Sequence, residues 1–437
     1  MRVVFKNFRI VDSARDFFGG LVVDNGLIQD VLESGNALGD IVIDGKAFGQ
    51  AAVLMPAFID LHAHFREPGF PEKETLESAS LAAVAGGFAT VVCMANTKPV
   101  IDTLDKARAI KARSDALGLI DLYPVLSLTN NMEGLELSGI KDLQCGNNCP
   151  GLPLMLSEDG KDVADDNLFL AAMKEAKRLG LPVSCHCDFG GPEVQAAKSA
   201  GHTRAEWSRM EENFAVRRAI ELGKKAGCHI HIAHVSTKEA AQIIREVKKS
   251  SVSGNGFSLT CEATPHHIGA AEEDAERMGD ETCGRVNPPL RSNADREAII
   301  AGLSDNIIDA IATDHAPHSD NDKAAGMPGF TGLETAFAVS LSYLSDIDLR
   351  RLSALMSANP ARILGLEDRG RIEKGLRADL VIADTGANWK IEPEKFKSRG
   401  KCSPFAGKTL RGKILMTLNA GKIVFGGDGV SKGDVIV

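Results

Sequence analysis

The sequence lacks any stretch of about 18 uncharged apolar residues, the length that a membrane-spanning helix needs. It also lacks long blocks of one charge, because 59 acidic and 50 basic residues are spread along 437 positions with a net charge of -9. This distribution argues against nucleic acid and anionic membranes as partners. The segment Met1 to Asn7 contains no apolar signal-peptide core. We therefore expect a cytoplasmic protein.

Cysteine is present but shows no pairing pattern. Nine cysteines, an odd number, lie between Cys93 and Cys402 without a CxxC framework, so we expect reduced thiols rather than disulfides. The cluster Cys185-His186-Cys187 could offer thiolates to zinc, but on a strand the two thiols point away from the central histidine. We expect these thiols to be structural.

Short apolar runs alternate with candidate helices from Met55 to about Gly365. This alternation is typical of parallel strands joined by crossover helices, and eight repeats predict a closed (β/α)₈ barrel over residues 55–370. The eight runs are 57–64, 89–96, 121–128, 152–159, 182–186, 229–234, 258–266 and 308–314.

The two ends of the chain, residues 1–54 and 371–437, are rich in β-branched residues, glycine and turn signals. Such signals include Asp24-Asn25-Gly26, Asp44-Gly45 and the glycine-rich stretch 426–429. The simplest arrangement joins both ends in one small β-sandwich domain beside the barrel. Composition alone allows two separate hairpin units equally well.

Polar side chains stand at the carboxyl ends of these runs, the rim where (β/α)₈ barrels build their active sites. One polar residue at a strand end can simply begin a loop. Seven such residues, six of them able to bind metal, favour a site at the barrel mouth. They are His62, His64, Asn96, Asp159, His186, His234 and Asp314.

The six metal-competent residues combine neutral nitrogen with anionic oxygen donors, which suits zinc better than magnesium or calcium. Six ligands are too many for one tetrahedral zinc, so we favour two zinc ions over one, with Asp159 as the bridge. Zinc lowers the pKa of a bound water from 15.7 towards roughly 7, giving a hydroxide that attacks a carbonyl. Asp314 is the preferred general acid/base, returning the proton to a leaving nitrogen.

The remaining histidines are not among the predicted metal ligands. His229 and His231 alternate out of phase with His234, so we expect them to face the helix layer if His234 faces the barrel centre. His266 and His267 are open between supporting the site and packing.

The segment 55–69, MPAFIDLHAHFREPG, resembles the signature of dihydroorotases in the cyclic amidohydrolase superfamily. The resemblance implies a zinc enzyme of the class I, Asp-bridged branch. Such enzymes reversibly close N-carbamoyl-L-aspartate to L-dihydroorotate, the third step of pyrimidine biosynthesis. Further matching motifs are 94–97, 157–160, 233–237, 264–267, 286–291, 313–318 and 332–335.

The resemblance also implies roles for individual residues. The six metal-competent residues become metal ligands, with Asp314 also the acid/base. Arg66, Asn96 and His318 match contacts with the substrate carboxylate, and Asn287 with the backbone at Pro328 and Gly329 matches contacts with the ring amide. A surface salt bridge for Arg66 and turn formation for the two asparagines are the alternatives.

The sequence departs from many relatives in ways that define the alternatives. Hydantoinases and allantoinases bridge their metals with a carboxylated lysine, whereas this run ends in Asp159, and Lys161 lies two residues later. The loop 319–330 also departs from the usual pattern. A hydantoinase or allantoinase activity is one alternative. An inactive scaffold paralogue for aspartate transcarbamoylase is the other, although no ligand is lost. We expect a homodimer, with association with aspartate transcarbamoylase as a further option.

Overall fold

The computed structural model describes residues 2–33, 37–143, 154–250, 256–279, 283–426 and 435–436. The strands of these residues are β1 (Arg2–Val11), β2 (Asp16–Asp24), β3 (Leu27–Leu32), β4 (Ile41–Asp44), β5 (Ala52–Pro56), β6 (Phe58–Ala63), β7 (Phe88–Cys93), β8 (Asp121–Pro124), β9 (Leu156–Ser157), β10 (Val183–Cys185), β11 (His229–Ile232), β12 (Ser258–Ala263), β13 (Ala310–Ile311), β14 (Leu380–Lys390), β15 (Thr409–Asn419), β16 (Lys422–Gly426) and β17 (Val435–Ile436).

The first and last parts of the chain share one nine-stranded sheet. Its order is β16-β15-β14-β5-β1-β2-β3, and β4 pairs with both β1 and β17. The junction lies at β5, which runs parallel to β1 and antiparallel to β14. The two ends therefore do not form separate hairpin units. The domain limits at residues 54/55 and 370/371 stay predictions, and residues 427–429 of the expected turn lie outside the described residues.

Strands β6 to β13 form the barrel, one strand for each of the eight predicted runs. Parallel pairing joins β6-β7-β8 in one sheet and β9 to β13 in another. Two single parallel bridges, Leu126 to Leu156 and Ala63 to His315, connect the two sheets on both sides. The ring of eight strands is thereby closed, as the apolar runs predict.

Helices and loops connect the strands and bury their apolar faces against them. The helices begin at good caps: Thr75 and Thr203 each form a capping box, and Asp165 accepts from two backbone N–H groups. The helices are α1 (Leu76–Ala85), α2 (Leu104–Leu117), α3 (Asp166–Leu179), α4 (Pro192–Ser199), α5 (Arg204–Ala226), α6 (Lys238–Lys249), α7 (Pro265–Gly269), α8 (Glu272–Met278), α9 (Asn293–Ser304), α10 (Asp320–Ala324), α11 (Ala336–Tyr343), α12 (Leu349–Ser353) and α13 (Asn359–Leu364). None of the described helices is long and apolar enough to cross a membrane.

One expectation about cysteine is wrong. Cys283 and Cys402 form a disulfide with their Cα atoms 5.8 Å apart, although 119 residues separate them in sequence. Cys185 and Cys187 are free, buried thiols, and burial raises the pKa of each thiol well above its ordinary value. They stay protonated at neutral pH and are poor metal ligands in that form.

Candidate metal centre and active site

The backbone turns sharply where four barrel strands end. Arg66, Cys187, His234 and Asp314 all have positive φ, at 60°, 52°, 32° and 44°. Each follows within three residues of the end of β6, β10, β11 or β13. Non-glycine residues rarely adopt this conformation, and they cluster at functional sites where the surrounding structure holds the strain. The strained turns place the predicted rim residues at one end of the barrel.

Five of the six predicted metal ligands form two overlapping groups. His62, His64 and Asp159 offer ligand atoms that all lie within 4.8 Å of one another, and we call them the first triad. Asp159, His186 and His234 satisfy the same limit and form the second triad. All five side chains are buried. Asp159 therefore stands between two potential cation positions, as a bridging carboxylate would.

The sixth predicted ligand, Asp314, lies against the first triad. Its Oδ1 is 3.2 Å from His64 Nε2 and 3.6 Å from His62 Nε2. Asn96 ties this side together, since it accepts from His64 Nδ1 at 3.0 Å and donates to Asp159 Oδ2 at 3.0 Å. His64 thus keeps Nε2 directed at the two carboxylates, which is the orientation that a metal ligand needs.

The charged groups of this cluster strongly shift one another's pKa values. Burial lowers the pKa of His62, but Asp159 and Asp314 raise it by a larger amount, so the resulting pKa is well above the ordinary value. For Asp159 and Asp314, burial raises the pKa and the neighbouring histidines lower it more, leaving both well below the usual range. The carboxylates are ionised, and they attract a positive charge to the place where the imidazoles meet.

The second triad differs in its two histidines. Burial lowers the pKa of His186, whereas Asp188 and Asp159 raise it, giving a pKa of about 9. Burial and the nearby His186 lower the pKa of His234 to about 3. His234 is therefore a neutral imidazole, and its buried Nε2 has no hydrogen-bond partner among the described residues.

A buried hydrogen-bond network beside His62 is not predicted from the sequence. Glu262 accepts from His62 Nδ1 at 3.1 Å and from His231 Nε2 at 2.9 Å. Thr260 Oγ1 lies 2.8 Å from ring nitrogens of both His229 and His231. His231 and Glu262 are completely buried. The network fixes the tautomer of His62 with Nε2 facing Asp159.

This network corrects the prediction that His229 and His231 face the helix layer. His231 is connected through Glu262 to His62, one of the rim histidines. The prediction assumed that side chains alternate between the two faces of a strand all the way from His231 to His234. However, β11 ends at Ile232, and His234 has a positive φ of 32°. Alternation does not hold across that turn. His266 and His267 are both buried, and His267 is bonded to Thr264 Oγ1 at 2.8 Å.

Two more carboxylates support the rim. Asp60 is buried and accepts from Thr313 N at 2.8 Å and Thr313 Oγ1 at 2.5 Å, which fixes the backbone directly before Asp314. Asp188 lies 3.2 Å from His186 Nδ1. Asp60 lies within a predicted strand and Asp188 just after one, each two residues from a rim histidine. An acidic residue this close in sequence to a rim histidine is the signal that could have identified them.

The predicted carboxylate contacts Arg66 and His318 lie beside each other. Arg66 donates through Nη2 to His318 Nε2 at 3.2 Å and through Nε to the Pro317 carbonyl at 3.1 Å. Burial lowers the pKa of Arg66 to about 10, so it stays charged at neutral pH. Burial, with the charge of Arg66, lowers the pKa of His318 to about 3. The pair presents one cation and one neutral ring.

The predicted ring-amide contacts are already engaged within the protein. Asn287 Nδ2 donates to Asp188 Oδ2 at 3.4 Å. Gly329 donates its N–H to the Arg285 carbonyl at 3.0 Å. The Pro328 carbonyl lies 3.0 Å from His318 Nε2, which donates to it only in the tautomer that does not accept from Arg66. Gly329 has a φ of 147°, and a Cβ there would meet the Ala316 carbonyl oxygen at 2.4 Å, so only glycine fits. The substrate roles of these residues, and of Asn96, stay predictions.

The donor set fits a divalent metal. Buried histidine nitrogens converge on ionised carboxylates, and His234 Nε2 is a buried acceptor with no partner among the described residues. Lys161, the one lysine near the bridging position, donates to the Met132 carbonyl at 3.0 Å. It therefore does not take the place of Asp159.

Comparisons with known proteins agree with this geometry. Residues 53–424 match the family described as the amidohydrolase family. A dihydroorotase from Clostridium botulinum (strain Eklund 17B / Type B) is 37% identical over 97% of this chain and 100% of its own length. A dihydroorotase from Syntrophus aciditrophicus (strain SB) is 35% identical over 97% of this chain and 99% of its own length.

Among solved structures, an L-hydantoinase (dihydropyrimidinase) from Arthrobacter aurescens superimposes with a TM-score of 0.83 and 25% identity. The alignment covers 96% of this chain and 95% of that protein. Both comparisons therefore span the barrel and the sheet formed by the chain ends. This chain belongs to the amidohydrolase family.

Proposed function

We propose that this protein is a dihydroorotase, which interconverts L-dihydroorotate and N-carbamoyl-L-aspartate in pyrimidine biosynthesis. The observation that carries the proposal is Asp159, a carboxylate shared by two buried triads, with the Arg66–His318 pair at the same barrel rim. The full-length similarity to dihydroorotases supports the choice of substrate.

The metal in this proposal is zinc, with two ions per chain. The first triad with Asp314 would hold one ion and the second triad the other, with Asp159 between them. A bound zinc ion supplies two kinds of chemistry: it lowers the pKa of water and polarises a carbonyl. The protein's own contribution is to hold the imidazoles and the ionised carboxylates close together, so that a bound metal would displace the protons of His62 and His186.

Asp314 is the group we assign to proton transfer. In hydrolysis, water adds to the ring carbonyl, the bond from that carbon to the ring nitrogen breaks, and the nitrogen takes a proton. Ring closure reverses these steps and releases water. Asp314 is buried, ionised and held beside His62 and His64, so it can accept the proton from water and deliver it to the nitrogen.

Arg66 is the group we assign to the substrate carboxylate. Its guanidinium is fixed by Pro317 and His318, so little conformational freedom is lost when an anion binds. Asn96 and His318 complete this contact in the proposal, and Asn287, Pro328 and Gly329 contact the ring amide. Because Asn96, Asn287 and Gly329 are already hydrogen bonded, substrate binding must share or replace those bonds.

Hydantoin hydrolysis is the second candidate, because the superimposed solved structure is called an L-hydantoinase. Asp159 at the shared position, with Lys161 bonded elsewhere, favours the Asp-bridged dihydroorotase over the lysine-bridged enzymes. An inactive scaffold is disfavoured because all six donor residues are present and close together.

The test is a substrate panel with zinc-loaded protein. Dihydroorotate, hydantoin and allantoin are offered separately, and ring opening is followed by ultraviolet absorbance and product chromatography. We expect dihydroorotate to be consumed and the other rings to be left intact. Asp314→Asn should lower turnover about 100-fold or more without loss of folding measured by circular dichroism. Turnover of hydantoin alone would replace this proposal by the second candidate.

The proposal also includes a cytoplasmic homodimer, with association with aspartate transcarbamoylase as a further option. Sedimentation of the purified protein, alone and mixed with aspartate transcarbamoylase, measures both assemblies. A single species of about 46.5 kDa, the mass of one chain, would contradict the homodimer.

A further inference from the structure

Lys323 is a buried cation whose partners are three carbonyl oxygens. Its Nζ donates to Arg285 O at 2.9 Å, Met327 O at 2.9 Å and Gly329 O at 3.0 Å. An ammonium group has three N–H donors, so these bonds use all of them. The residue is only 6% exposed, although it lies in the short surface helix α10.

No carboxylate pairs with Lys323 among the described residues. The carboxylate of the neighbouring Asp322 lies 3.3 Å from Lys73 Nζ. It also accepts a hydrogen bond from the Ser319 hydroxyl at the start of α10. Burial, with the charge of Arg285, lowers the pKa of Lys323 to about 8, so the ammonium is still mainly charged at neutral pH. A charge buried without a counter-ion is costly, and in some proteins such a group fixes one particular arrangement of the chain.

The three carbonyls belong to two segments that both reach the proposed substrate site. Arg285 lies two residues before Asn287, while Met327 and Gly329 flank Pro328. Gly329 also donates its N–H to the Arg285 carbonyl at 3.0 Å, so the two segments are joined twice. The Pro328 carbonyl in turn lies 3.0 Å from His318, the partner of Arg66.

We propose that Lys323 is a positioning residue that holds segments 285–287 and 327–329 together and thereby sets the pocket for the substrate ring and carboxylate. This inference rests on the proposed function. Among the described residues, the hydrogen bonds of Lys323 go to Arg285, Met327 and Gly329 and to none of the six proposed metal ligands, so its loss should change substrate binding without changing metal binding. Apolar side chains of the same length cannot replace it, because three buried carbonyls would lose their donor.

The experiment compares Lys323→Met with Lys174→Met, a matched change at an exposed lysine of α3. We expect Lys323→Met to raise KM for dihydroorotate at least 10-fold, with kcat within threefold of wild type and an unchanged zinc content. Lys174→Met should leave all three values unchanged. In Lys323→Ala, added n-propylamine should lower KM again by supplying the missing ammonium. Unchanged KM in both Lys323 variants would overturn the proposal.

Hydrogen exchange gives a second readout that does not depend on turnover, and its wild-type measurement does not depend on variant folding. The amide of Gly329 should exchange slowly, and in folded Lys323→Met it should exchange at least 10-fold faster. Rapid exchange of Gly329 in the wild type would overturn the clamp even if the variants fail to fold. Absence of dihydroorotate turnover in the wild type would instead overturn the proposed function, leaving the exchange result to judge Lys323.

Discussion

The two triads share Asp159 but differ in what lies behind their histidines. In the first, Glu262 holds His62 Nδ1 with a side chain that is 1% exposed, and Asp314 adds a second carboxylate. In the second, Asp188 lies 3.2 Å from His186 Nδ1 with a side chain that is 29% exposed, and no carboxylate is hydrogen bonded to His234 Nε2 among the described residues. The first triad is the more anionic and the better shielded from water.

This difference has a consequence for cation binding. A carboxylate in a buried position acts on its neighbours with less screening than one that water reaches. The first triad should therefore bind its cation more tightly, and the second should be the one that empties first on dilution. An enzyme built this way would show two affinities for two chemically similar positions.

The largest expected effect comes from removing what the triads have in common. Asp159→Asn deletes the shared negative charge while keeping the shape of the side chain. Turnover should fall at least about 1,000-fold, the scale seen when a central catalytic group is lost. Zinc bound per chain, measured by elemental analysis after gel filtration, should fall at both positions. Retention of both ions would show that Asp159 is not the bridge.

A smaller effect should separate the two sides of the comparison. Glu262→Gln should weaken zinc at the first triad by about 10- to 100-fold, as expected for a group that orients a metal ligand. Asp188→Asn should weaken the second position less, because Asp188 is already partly screened by solvent. Competition with a chromogenic chelator measures both affinities. Equal losses in the two variants would remove the asymmetry.

The smallest effect is a pH dependence of the metal-free protein. The pKa of His186 is raised to about 9 in the fold, from about 6.5 in the unfolded chain. Its contribution to stability is therefore complete below pH 6.5 and is lost as the pH rises through 9. Urea unfolding should show a loss of up to about 3 kcal/mol over this window.

Zinc-loaded protein is the control for that titration. Because the metal would take the place of the protons on His62 and His186, the stability of the zinc-loaded protein should not fall between pH 6.5 and 9. The same fall in both forms would contradict the assignment of these histidines as ligands.

The sequence predicts the barrel and the convergence of its rim because both depend on short-range patterns. Each apolar run needs only local alternation to be recognised as a strand, and the topology then brings the carboxyl ends together. His62 and His64 could be paired on the same grounds, since they are two residues apart near the end of β6.

The features that the sequence does not predict depend on contacts between distant residues or on unusual backbone. The Cys283–Cys402 disulfide joins positions 119 residues apart, with no spacing rule to suggest it. The role of His231 was misjudged because the left-handed turn at His234 ends the alternation. Glu262 lies in β12, 200 residues after His62, and only the closed barrel brings them together.

The most direct measurement is a zinc titration of metal-stripped protein in the presence of dihydroorotate, with ring opening followed by ultraviolet absorbance. We expect no ring opening by the stripped protein and a rate that rises until two zinc ions are bound per chain. Full activity of the stripped protein, or no activity with two ions bound, would contradict it.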